Sequence, residues 1–168
     1  MNFLSVRRRV ATLAVLTTAV VGLALAAPTG ASADPAPDPV RPTDVGTPFV
    51  MHETVDHSTE SYTFTAAGPL CPSGVFADHV TVVAADAAQT VFVWLVHTTY
   101  TCDDGSGTFT AIKHLVRRQS VDAASNKGPV RITGGTGAYA GLSGHGIDVG
   151  ASASGHGAGT ITGRITSG

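Results

Sequence analysis

Seven histidines in 168 residues, His52, His57, His79, His97, His114, His145 and His156, raise metal binding or proton transfer as the first chemistry to test. His52-Glu53 with His57 is one residue too long for the H-E-x-x-H zinc motif, and its surroundings read as strand and turn, so the i, i+4 geometry is lost. One pair is better placed. If the turn over 103–106 sets Cys102 opposite Gly107, then Leu95 faces His114 and His97 faces Ile112, which makes His97 and His114 diagonal neighbours on one face. A slip of one residue would separate them, so their role as a proton relay is an expectation tied to register. Glu53, Glu60 and Asp78 are the acids that lie well inside strand patterns, and each reads as an outward-facing charge; Glu53 joins the two histidines as a catalytic candidate. No G-x-S-x-G elbow is present, and Asp103-Asp104 stand where turn-forming side chains are expected. Gly135, Gly137 and Gly141 lack the spacing, the following Lys and the helical pattern of a phosphate loop. No metal site and no cofactor is read from the chain.

Aromatic residues suggest a different use. Phe92, Trp94 and Tyr100 share one face of a strand, and Phe109 joins that face across the same hairpin. They are either core or the wall of an apolar pocket that takes a small hydrophobic ligand.

The elements that would position these groups are strands. From Thr47 onward no stretch keeps apolar residues at helical spacing, and Gly-Pro, Pro-Ser-Gly, Asp-Asp-Gly-Ser-Gly, Asn-Lys-Gly-Pro and Gly-Gly-Thr-Gly punctuate the chain. Strands are expected over Thr47–Asp56, Thr59–Ala66, Gly74–Ala84, Thr90–Thr101, Gly107–Arg117, Pro129–Thr133, Ser143–Ala151 and Gly157–Thr166, with a helical turn at Asp86–Gln89. Eight short strands suit an all-β barrel or sandwich. The alternation of Ile161 and Ile165 with Thr160, Thr162, Arg164 and Thr166 favours the barrel. The run Val91–Val96 is apolar on both faces, so its outer side needs a cover, and a homo-oligomer, dimer or trimer, is expected.

Residues Ile132–Gly146, ITGGTGAYAGLSGHG, resemble the glycine-rich G-G-T-G-x-[YF]-x-G-x-x-G segment of dirigent proteins and allene oxide cyclases. Tyr100–Phe109 is similar to a segment of small secreted actinobacterial proteins that carry the same stretch. The resemblance implies an eight-stranded antiparallel β-barrel, of the calycin-like kind and often trimeric, and transfers no pocket residue to this chain. Read as structure, Gly134, Gly135 and Gly137 would supply a tight turn. Tyr139 and Leu142 would pack, and Gly141, Gly144 and Gly146 would permit bulges or close backbone approach.

The start of the chain carries an address. Arg7-Arg8-Arg9, an apolar run over 10–27 and Ala31-Ser32-Ala33 form a secretory signal cleaved near Ala33, in preference to a membrane anchor. Residues 34–46 are a Pro-rich disordered linker, and the domain occupies 47–168. The whole chain has a formal charge of −2; removal of residues 1–33 takes away three arginines and no acid. The acidic balance that remains argues against nucleic acid as a partner. In an exported chain Cys71 and Cys102 pair as one disulfide, which stabilises by roughly 3 to 4 kcal/mol through loop closure. The reading that results is a secreted barrel that binds a small apolar ligand or acts as a non-catalytic extracellular protein. Its alternatives are a cyclisation or coupling enzyme of isomerase type and a structural or adhesive surface protein.

Overall fold

A computed structural model describes residues 46–167, so the signal and almost all of the linker lie outside the described residues. Eight strands follow one another in the chain: β1 Thr47–Asp56, β2 Ser61–Ala67, β3 Ser73–Ala85, β4 Val91–Cys102, β5 Thr108–Gln119, β6 Ala123–Gly135, β7 Leu142–Ala153 and β8 His156–Ser167. Each pairs antiparallel with the next, and β8 returns to β1 to close the barrel. Closure removes the sheet edges and gives every strand an inside and an outside.

The expected boundaries shift by a residue or two at most strand ends, with one larger correction. The strand expected at Pro129–Thr133 begins at Ala123, because Asn126-Lys-Gly-Pro129 does not turn but runs through β6. Gly128 is needed there, since a Cβ would lie 1.9 Å from the His114 carbonyl oxygen. Glu60 does not lie in a strand either; it occupies the β1–β2 turn with a φ of 54°. Asp86–Gln89 makes a hydrogen-bonded turn, and a short 3-10 turn covers Gly137–Tyr139. Gly137 has a φ of 59° and passes so close to the Ser106 carbonyl that only glycine fits.

Inside, the barrel is divided along its axis. One half is filled by Phe49, Met51, Phe64, Phe76, Tyr100, Phe109, Ile132, Ile161 and Ile165. Tyr100 and Phe109 stack with ring centres 4.6 Å apart, and Phe64 meets both edge-on. Tyr139 packs on Phe109 from the 3-10 turn, and the Cys71–Cys102 disulfide ties the β2–β3 loop to the end of β4 with a Cα–Cα distance of 5.9 Å. The other half is hollow.

The seam between β2 and β3 is short. Three residue pairs join them, Thr63–Thr65 with Ser73–Val75, and beyond Phe76 β3 runs past the paired end of β2. Val80 and Val82 are accordingly exposed although both are paired with β4, to Val96 and Trp94.

Candidate functional site

The hollow half holds a cavity of about 550 Å³, within the range of small-molecule sites. Alternation along each strand decides what lines it. On β5 the inward sequence is Phe109, Ala111, Lys113, Leu115, Arg117, so a lysine stands where apolar residues precede and follow it on the same face. On β1 the inward sequence Phe49, Met51, Glu53, Val55 places a carboxylate at the same level. β7 contributes Gly144, Gly146, Asp148, Gly150 and Ser152, and β8 contributes Gly157, Gly159, Ile161, Gly163 and Ile165. Of these glycines, Gly157 and Gly159 line the cavity and leave space in it where a Cβ would meet only ordinary contacts.

Lys113 forms the floor. Its Nζ lies 2.5 Å from Glu53 Oε1 and 3.7 Å from Asp148 Oδ2, with both Lys113 and Asp148 only 2% exposed. Tyr100 donates its hydroxyl to the same Glu53 oxygen, and Thr98 donates to Asp78 Oδ1 at 2.6 Å. Tyr100 thus joins the halves, its ring in the packed core and its hydroxyl at the cavity floor.

These groups set one another's ionisation. Burial works against the Lys113 ammonium, but Glu53, Asp78 and Asp148 outweigh it and hold the pKa above the usual value. Burial pushes Asp148 up to about 6; Lys113 opposes the shift while Glu53 and Asp78 add to it. Asp78 is raised for the same first reason, against Lys113 and Thr98, yet it is exposed at the rim, so the weight falls on Asp148. Burial, then the charge and hydrogen bond of Glu53, raise the Tyr100 phenol well above its ordinary range.

Three polar atoms of the cavity lining are buried with no hydrogen-bond partner among the described residues: Asp148 Oδ1, Trp94 Nε1 and Arg117 Nε. An unsatisfied buried group costs about 1–3 kcal/mol, and three in one lining mark the place where a partner is owed. Arg117 lies toward the mouth, its guanidinium 4.5 Å from the centre of the Trp94 ring. His57 and Tyr62, hydrogen-bonded at 3.1 Å, stand at the rim.

Of the residues singled out in the sequence, Trp94 lines this cavity and Glu53 is part of its floor; Phe92 is half-buried near the mouth and outside the lining. Tyr100 and Phe109 are fully buried in the packed half. His97 and His114 have the register expected of the hairpin, but they lie on the outer face, exposed and away from the cavity. His97 instead stands directly across from His79. The outward reading of Glu53 and Asp78 is corrected: both face inward, because the parity of Met51 and Phe76 is the core parity. Gly134, Gly135 and Gly141 shape the β6–β7 connection, Leu142 packs beside the core, and Gly144 and Gly146 pass close to the β8 backbone.

Lys113 and Asp148 were not anticipated. Lys113 could have been found from its shared face with Phe109, Ala111 and Leu115. Asp148 was masked by Ile147 and Val149, which are 44% and 51% exposed and invert the usual pattern. Among the described residues no group of three His, Cys, Asp or Glu side chains is placed to hold a metal. No protein-family model, curated protein or solved structure matches this chain.

Proposed function

We propose that the hollow half of the barrel is a binding site for a small molecule with an apolar body, in a protein exported to an oxidising compartment. The carrying observation is the cavity itself: Val55, Val80, Trp94, Val96 and Leu115 wall it, while the polar groups converge on one floor. The disulfide and the signal-like start of the chain support export. A purely structural or adhesive role is disfavoured, because a barrel needed only as a scaffold would gain stability by filling this space.

A second reading has one observation behind it. Asp148, with a pKa near 6 and Lys113 beside it, can exchange a proton near neutral pH. That suits a cyclisation or coupling enzyme of the kind the dirigent and allene-oxide-cyclase resemblance implies.

The test uses the sole tryptophan, Trp94. N-phenyl-1-naphthylamine, a neutral apolar probe, should bind the disulfide-intact protein and receive energy from Trp94. Gly157→Leu, which projects a side chain into the cavity from a position with ordinary contacts, should abolish the transfer while the protein stays folded. Absence of any transfer in the parent protein would sink the binding reading.

A further inference from the structure

We infer that the cavity selects an organic cation, a primary or secondary ammonium on an apolar body, bound head first with its N–H donating to Asp148 Oδ1. The inference rests on the reading that the cavity binds a small molecule and adds the charge and orientation of that molecule.

The floor sets the sign of the charge. Two buried carboxylates, Glu53 from β1 and Asp148 from β7, converge with a single ammonium, Lys113 from β5, and Asp78 on β3 adds a third carboxylate at the exposed rim. Tyr100 from β4 is a neutral donor already committed to Glu53. With both buried acids ionised the floor carries a surplus of one negative charge, and buried charge without a counter-ion is costly. A hydroxyl would fill the open bond at Asp148 without offsetting this surplus; a carboxylate would add to it. An ammonium supplies both the missing donor and the missing charge.

Orientation follows from the other end. Arg117 is four residues beyond Lys113 on β5, roughly 13 Å along the strand, and it carries the positive charge of the mouth. An ammonium is therefore disfavoured beside Arg117 and favoured at the acidic floor, and the partnerless Trp94 Nε1 and Arg117 Nε remain for acceptors at the outer end of the ligand. Entry to Asp148 is beside Gly159. A Cβ built there would lie 3.5 Å from Asp148 Oδ1 and 3.6 Å from Glu53 Oε2, both ordinary contacts, so the space fits one small group against both carboxylates.

Three probes with one apolar body and different heads test this: 1-naphthylmethylamine, 1-naphthylmethanol and 1-naphthoic acid, titrated calorimetrically into the disulfide-intact protein. The amine should bind at least about tenfold more tightly than the alcohol at about pH 7.5, with the acid weakest. Protonation of Asp148 should weaken the amine by roughly tenfold between about pH 7 and pH 5. Asp148→Asn should remove both the preference and the pH dependence. Gly159→Ala, which narrows the space beside Asp148 without disturbing a charge, should weaken the amine.

Equal or tighter binding of the acid overturns the inference, as does an amine preference that survives Asp148→Asn. If the neutral probe binds and none of the three naphthyl compounds does, the cation is refuted and the binding cavity stands. If the neutral probe also fails, both are refuted together.

Discussion

On either side of Lys113 the same eight strands enclose two different interiors. Toward the disulfide, the inward positions carry Phe64, Tyr100, Phe109 and Ile165, and the glycines among them are wedged: a Cβ at Gly163 would stand 2.1 Å from the His145 carbonyl oxygen. Toward the other end, the inward positions carry Gly157 and Gly159, where a Cβ would meet nothing closer than 3.4 Å and 3.5 Å. Glycine serves close packing in one half and empty space in the other. Stability is therefore expected to reside in the packed half, and selectivity in the hollow one.

The widest separation between the halves should come from Phe109→Ala, which opens a void in the aromatic stack and should cost about 3–5 kcal/mol in urea unfolding. A cost below about 1 kcal/mol would mean that the stack is not where the fold is held. Replacement of both cysteines by serine should follow, at about 3–4 kcal/mol for a bridge spanning 31 positions in sequence, read as a lowered midpoint of thermal unfolding.

Asp148→Asn should act in the opposite direction. The folded pKa, about 6, lies above the ordinary 3.8, so the folded state holds this proton more tightly than the unfolded chain. The stability contributed by the proton is fully present below about pH 4 and is lost as the pH rises through about 6. The substitution should therefore stabilise the protein by up to about 3 kcal/mol at neutral pH and change little at about pH 4. A destabilised variant at neutral pH would show that the bond to Lys113 outweighs the desolvation of Asp148.

The smallest effects give the sharpest contrast. Gly163→Ala should cost about 1–3 kcal/mol, because its methyl must displace backbone, whereas Gly159→Ala should stay within about 0.5 kcal/mol. Equal losses in paired calorimetric scans would erase the distinction between the two uses of glycine.

Much of the frame was legible beforehand because strand alternation and turn chemistry are local. The limits of β1 are as expected, and the Cys102–Gly107 turn placed Leu95 against His114 correctly. β6 was cut short because Asn-Lys-Gly-Pro is ordinary turn chemistry. In the barrel the chain runs straight on, and the β5–β6 ladder merely skips the two pairs at Gly128 and Pro129, the latter of which lacks an N–H.

The floor of the cavity was harder to read, since Glu53 and Asp78 look like solvent-facing charges and Asp148 sits between exposed Ile147 and Val149. By itself the sequence determined a β-rich chain, its turns, most of its strands and which residues on a strand share a face, because these follow from a repeat of two residues. Which face is inside was decided by closure of the barrel. Closure brought Glu53, Lys113 and Asp148 together from β1, β5 and β7, with the electrostatics of each set by the others. Contacts between strands so distant in sequence leave no local period to read.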